Sequence, residues 1–283
     1  MPDETSEGAP GEAADVRSAV ARLFALQPLD GDVFLVAPDG YGRERLFGGQ
    51  VAAQSLRAAC LTVPPDRPPH SLHAYFLRPG TPGEPLRLEV HRTRDGRAFS
   101  TRHVTAAQGG KPIFEMVASF HDPEPGYDWP PPEPPRVPAP EELPRPEALR
   151  RMRHPRMFDI RTVRTPLPGR FPLPHPFWIR LADRLEDDRG LHACLTTYLS
   201  DMAVVSSARA PGSPRRLAQA VTLDHAVWFH RPARVDEWLL YSVDPVVNHG
   251  ARGLARGSLH TADGVLVASI AQEALLRPAE ERR

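Results

Sequence analysis

Residues 222–232 read TLDHAVWFHRP, and residues 73–79 read HAYFLRP. Both stretches carry aromatic residues near a strand end and close on Arg-Pro. Arg78 and Arg231 stand 153 positions apart, and the same offset carries Phe76 onto Phe229, Ile113 onto Leu266, Phe114 onto Val267 and Ala118 onto Ala271. One offset serving distant segments marks an internal duplication. Only the second copy is preceded by Thr222-Leu223-Asp224.

The repeated unit can be read outward from these stretches. GGQVAAQSLRAACLTV (48–63) places Ala52, Leu56, Ala59, Cys60 and Val63 on one helical stripe, and their small size predicts a close neighbour. LRLEV (86–90), AFSTRHVTA (98–106) and IFEMVASFH (113–121) follow as strands, with turns at Asp95-Gly96 and Gln108-Gly109-Gly110. In the back half, HACLTTYL (192–199) reads as a strand and SDMAVVSSARA (200–210) as a short helix. TLDHAVWFHRP, EWLLYSVDPVV (237–247), ARGLARGSLH (251–260) and VLVASIAQEALL (265–276) read as strands. Two sheets, each wrapped around a helix, can join edge to edge and so hide their edge strands. Cys60 and Cys194 break the offset, so no relation between them is expected.

Of the 34 prolines, 17 fall between Pro123 and Pro176. WPPPEPPRVPAPEELPRP (129–146) lacks the N–H groups that a helix or a central strand needs. The expected organisation is a disordered acidic leader (1–14), a first unit (15–121), a Pro-rich connector (122–176), a second unit (177–278) and a tail (279–283). Hydrophobic residues make up 41% and formal net charge is zero. That balance argues against a general electrostatic hold on nucleic acid or an anionic membrane. No apolar run is long enough for a membrane span. The N-terminus lacks a signal-peptide core, and the two cysteines make cytoplasmic the default reading.

LFGGQVAAQSL (46–56), HSLHAYFLRPG (70–80), RDGRAFSTRHVTAAQGGKPIFEMVASF (94–120), YLSDM (198–202), TLDHAVWFHRP, DEWLLYS (236–242) and DGVLVASIAQEALLR (263–277) together resemble the acyl-CoA thioesterase II, or TesB-type, family. The resemblance spans roughly residues 16–277 and implies an α+β double hotdog. It also implies hydrolysis of fatty acyl-CoA to free fatty acid and coenzyme A, without a cofactor, by a homo-oligomer (dimer or tetramer). The family's catalytic Asp at the start of the second hotdog helix falls on Asp201, its Ser or Thr on Thr222, and its Gln on Gln272. The 153 offset sends these to Gly48, Pro69 and Ser119, so one polar site per chain is expected.

The chemistry suits these residue types. A carboxylate can take a proton from water while Thr and Gln hold that water in line. Gly49 and Gln50, at a helix N-terminus, are assigned to the substrate side, where backbone N–H groups can meet an oxyanion. Asp201 also fits a plain N-cap, and Thr222 a plain strand residue. Gln272 in an apolar strand is the most telling, since a buried amide needs partners. His73, His225 and His230 read as packed strand histidines, with no metal-ligand spacing. No GxSxG supports a serine hydrolase. Arg92, Arg94, Arg97, Arg102, Arg252 and Arg256 fit either coenzyme A phosphates or a solvated hairpin surface. A hydratase built on Asp224 and His225, or a non-catalytic acyl-CoA-binding protein, are the alternatives. Adjacent strand residues face opposite ways, which disfavours the former.

Overall fold

The computed structural model describes residues 10–38, 45–146, 157–165, 171, 173–209 and 217–279. Helix α1 (Pro10–Leu23) is the first described element, and its residues 10–14 fall in the segment expected to be a disordered leader. Strands β1 (Leu26–Pro28) and β2 (Val33–Val36), helix α2 (Gly48–Cys60), and strands β3 (Pro69–Phe76), β4 (Leu86–Asp95), β5 (Phe99–Gln108) and β6 (Lys111–His121) complete the front half. The back half holds β7 (Phe158–Thr162), β8 (Phe177–Leu181), α3 (Arg189–Ser200), α4 (Val204–Ser207), β9 (Leu217–Thr222), β10 (Asp224–Phe229), β11 (Leu239–His249), β12 (Arg252–Thr261) and β13 (Leu266–Pro278). β7 lies within the expected connector and pairs with β8, so the second unit starts earlier than proline content suggests.

All these strands form one antiparallel sheet of order β1-β2-β4-β5-β6-β3-β10-β13-β12-β11-β8-β7, with β9 on β13. The two halves meet at its centre, where β3 pairs with β10. Each half wraps its own helix, which is the double hotdog implied by the resemblance.

The register corrects the 153 offset in two places. It holds for β3, β4 and β5 against β10, β11 and β12; Leu86 and Phe99 correspond to Leu239 and Arg252. It fails for the last strand. In the front half Arg102 pairs with Ala118, but Ala255, its equivalent, pairs with Gln272. The offset there is 154, because the β12–β13 turn is one residue longer than the Gly109-Gly110 turn. A one-residue slip exchanges the two faces of a strand. Gln272 is therefore equivalent to inward Ala118, not to outward Ser119, and the apparent matches of Ile113, Phe114 and Ala118 were shifted by one.

The helices break the offset more widely. α3 starts only 141 positions after α2. HACLTTYL is helical, not a strand; of the segment 200–210, Ser200 ends α3 and Val204–Ser207 forms α4 among the described residues. Leu191, Leu195, Tyr198 and Leu199 form a helical stripe, all buried. Thr196 and Thr197 tolerate the buried helix because their hydroxyls donate to the carbonyls of His192 and Ala193, each at 2.9 Å. Asp188 caps the start by accepting from the Leu191 N–H at 2.9 Å.

α2 and α3 pack antiparallel. Ala52, Ala53, Ala58 and Ala59 are fully buried, so the backbones approach closely. Cys60 and Cys194, expected to be unrelated, bring their thiols together at this contact. At one end Arg57 pairs with Asp188 at 2.9 Å. At the other, a Cβ on Gly49 would stand 2.4 Å from the Tyr198 carbonyl oxygen. Backbone cannot yield as a side chain does, so Gly49→Ala is expected to lose about 1–3 kcal/mol of stability. Thermal unfolding checks this; a melting temperature equal to wild type would mean that the helices do not touch there.

Candidate active site

Asp201 follows the last residue of α3. It is the C-cap of that helix, not the N-cap the sequence suggested. The chain then turns sharply, with Ala203 left-handed at φ 63°. The Tyr241 hydroxyl donates to the Ser200 carbonyl, and the His175 ring lies 3.2 Å from the Met202 carbonyl. These contacts fix the turn on both sides of Asp201.

The carboxylate is buried between two helix ends. Its Oδ2 accepts the Gly49 N–H at 2.9 Å, at the positive end of α2. Its Oδ1 accepts no hydrogen bond from the described residues. Burial pushes the Asp201 pKa up to about 7, while the Gly49 N–H and the polar ends of Gln272 and Thr222 pull the other way. The Gln50 N–H closes the first turn onto the Phe47 carbonyl at 3.1 Å. Gly49 and Gln50 thus stand behind Asp201, whereas Gly48 lines the cavity in front of it.

Thr222 and Gln272 come together beside Asp201. The Gln272 Nε2 donates to Thr222 Oγ1 at 3.0 Å. Thr222 ends β9 opposite Ala274, while Ala226 in β10 lies opposite Ala271. The intervening stretch therefore holds one residue more than its partner, a β-bulge around Leu223. Bulges re-aim side chains beside active sites. Here it turns both Thr222 and His225 towards Gln272, although an odd spacing in a regular strand would separate them. The His225 Nδ1 lies 2.6 Å from Gln272 Oε1. Asp224 accepts the Glu273 N–H instead, at 2.8 Å, so Asp224 and His225 diverge and form no acid–base pair.

The front half has the same bulge. Pro69 pairs with Phe120 and Ser71 with Ser119, leaving an extra residue between them. Pro69, Leu72 and Ala118 occupy the places of Thr222, His225 and Gln272. Between α2 and β3 lie eight residues (61–68); between α3 and β10 lie 23 (201–223), and that longer segment carries Asp201 and Thr222. These three positions are polar in one unit and apolar in the other.

Asp201, Thr222 and Gly48 line a cavity of about 1040 Å³, walled by Leu46, Phe47, Val51, Phe76, Ile113 and Phe114 from the front half and Met202, Val205, Leu217, Leu223 and Leu275 from the back. Its arginines are Arg45, Arg78 and Arg209. The hairpin arginines lie elsewhere. Arg92 pairs with Asp32, Arg252 with Glu273, and fully buried Arg102 with Thr62 and Asp95. Nothing in the sequence assigned Ser200 or Tyr241 to the site; both fall in quoted blocks but carry no spacing signal of their own. The described residues hold no group of His, Cys, Asp and Glu suited to a metal ion. No helix among them is long and apolar enough to cross a membrane.

Known proteins resemble this chain along most of its length. Residues 37–121 match the acyl-CoA thioesterase N-terminal domain, and residues 147–275 match the acyl-CoA thioesterase family model. Human acyl-coenzyme A thioesterase 8 is 37% identical over 93% of this chain and 90% of its own length. Acyl-CoA thioesterase 2 of Haemophilus influenzae is 33% identical over 94% of this chain and all of its own. The crystal structure of the acyl-CoA thioesterase II TesB2 from Mycobacterium marinum superposes with a TM-score of 0.79 at 37% identity, covering 92% of this chain and 99% of that one. A hot dog fold protein from Alicyclobacillus acidocaldarius, 22% identical, shares the fold with a TM-score of 0.72. With a buried, unpartnered carboxylate oxygen at the wall of an apolar cavity and relatives of this kind along nearly its whole length, the chain belongs to the acyl-CoA thioesterase family.

Proposed function

We propose that Asp201, Thr222 and Gln272 carry out acyl-CoA hydrolysis in this chain by directing a water at the thioester carbonyl. The observation that carries the reading is the free Oδ1 of buried Asp201 beside the Thr222–Gln272 pair. Oδ1 accepts one proton of the water, and Thr222 and Gln272 hold it in line. The water oxygen bonds to the carbonyl carbon, and the oxyanion forms near Gly48 at the positive end of α2. The intermediate then expels coenzyme A as its thiolate, which takes the proton back from Asp201. The apolar wall suits a fatty acyl chain. Arg45 and Arg78 suit the phosphates of coenzyme A; Arg45→Ala is expected to raise KM with little change in kcat, and an unchanged KM would remove that contact. A cytoplasmic homo-oligomer belongs to the same proposal. Tyr75, Val117 and Trp228 leave apolar surface on the outer sheet face, and light scattering that returns the mass of one chain would refute assembly.

Release of free thiol from acyl-CoA of graded chain length tests the site. Asp201→Asn is expected to lower kcat by about 10² or more. Gln272→Ala is expected to lower kcat more than it raises KM. Wild-type turnover in Asp201→Asn would refute the general base. An enzyme releasing no thiol at any length would favour the binding-protein reading.

The ionisation of Asp201 makes two further expectations. Because the carboxylate is the active form, kcat should rise with pH through about 7 and then level. Stability should move oppositely. The folded pKa lies above the unfolded value of 3.8, so the folded state holds its proton more tightly and loses stability as pH rises from about 4 towards 7. Asp201→Asn removes that loss, so its melting temperature should exceed wild type at pH 8, the gain vanishing near pH 4. A gain independent of pH would show that the carboxylate is not buried in its charged form.

A further inference from the structure

Behind Gln272 lies a buried polar chain that the hydrolytic step does not use directly. Gln272 Oε1 lies 2.6 Å from His225 Nδ1, and His225 Nε2 lies 2.7 Å from Ser200 Oγ. Ser200 Oγ lies 2.9 Å from the Thr197 carbonyl. Gln272 and Ser200 are fully buried and His225 is 1% exposed. In the front half the equivalent cross-strand pair is Leu72 and Ala118, so the fold does not require polar groups here.

A side-chain amide has two orientations differing only by exchange of NH2 and oxygen. They are not equivalent for this site. With NH2 forward, Gln272 donates to Thr222 and presents a second N–H to Asp201 and the attacking water. With oxygen forward, it would set an acceptor against a carboxylate that can only accept. We propose that His225, backed by Ser200, is a positioning residue that locks the Gln272 amide with its NH2 towards Thr222 and Asp201. This rests on the reading that Gln272 holds the water.

The proton inventory fixes each member in turn. Gln272 Oε1 faces His225, so His225 Nδ1 carries the hydrogen. A neutral imidazole then has a bare Nε2, which accepts the Ser200 hydroxyl; that hydroxyl carries one hydrogen, so in this state it turns from the Thr197 carbonyl to the ring. Burial keeps His225 neutral near pH 7, with its pKa lowered to about 4, and the Gln272 oxygen facing Nδ1 selects the tautomer. The lock matters most after the first proton transfer. Asp201 is then a neutral acid and no longer selects the amide orientation by charge. His225 still does.

The test is a kinetic double-mutant cycle with His225→Ala, Gln272→Ala and the double variant, plus His225→Asn. Asn can place an N–H near the position of Nδ1. His225→Ala should lower kcat about tenfold to a hundredfold with KM nearly unchanged. The double variant should lose no more than Gln272→Ala alone, because His225 acts through Gln272. His225→Asn should recover most of the kcat. The ring nitrogens of wild-type His225, followed by ¹⁵N NMR, should show protonated Nδ1 and bare Nε2. Additive losses in the cycle would mean a merely structural role and would overturn the proposal. So would an Nε2-protonated ring, or His225→Asn no better than Ala. If Gln272→Ala itself keeps wild-type kcat, the assignment of the water to Gln272 fails, and this inference with it. If Gln272→Ala is impaired and His225→Ala is not, only this inference fails.

Discussion

The hydrogen bond from the Gly49 N–H to Asp201 Oδ2 ties the two halves together at the candidate site. It joins the N-terminus of one hotdog helix to the C-terminus of the other. A carboxylate at the end of α3 alone would oppose that helix's dipole; the start of α2 offsets this. The contact demands that the helices meet within backbone distance, which Gly49 and the alanines of α2 permit. It also keeps the carboxylate out of water, which raises its pKa to about 7, the range that the proposed general base needs. Close packing of the helices and tuning of the carboxylate are therefore one requirement, met by the same few residues.

The duplication explains why there is only one such place. Both halves carry a bulge at the start of the central strand, so both offer a re-aimed inward position. The front half fills the three positions with Pro69, Leu72 and Ala118, which need no partners. The back half fills them with Thr222, His225 and Gln272, each of which would be costly to bury alone. They are tolerated as a set because each satisfies the next. Half of such a set would be worse than none, so a graded transition between the two halves is disfavoured physically.

Much of this was legible in the residues. The strands β4, β5, β11 and β12 followed from alternation and turn signals, and the offset between them was right. Gln272 stood out because an amide in an apolar strand must find partners, and it does. Three things were hidden. HACLTTYL looked like a strand because Thr196, Thr197 and Tyr198 favour sheets, yet hydroxyl bonds to the preceding turn and the Leu191–Leu195–Leu199 stripe make it a helix. The offset of the last strand was wrong by one because a single added turn residue leaves apolar matches in place while exchanging faces. The grouping of Thr222 with His225 was unreadable, since their spacing joins them only through a bulge. Asp201 kept its identity as a candidate but changed position, from the start of a helix to the end of one.

The two ends of the polar set behave differently towards protons, and that difference orders the site. Asp201 and His225 are both buried, and burial disfavours the charged form of each. For the acid this means a pKa near 7, so the group exchanges its proton within the working range. For the imidazole it means a pKa near 4, so the ring stays neutral near pH 7. The same physical cause makes one group mobile in its protonation and the other fixed. Gln272 lies between them and titrates with neither. In the proposed reaction it links the orientation of the ring to the water that Asp201 deprotonates. The proposed reaction needs such an array, because of its members only Asp201, at the cavity wall, changes charge near pH 7.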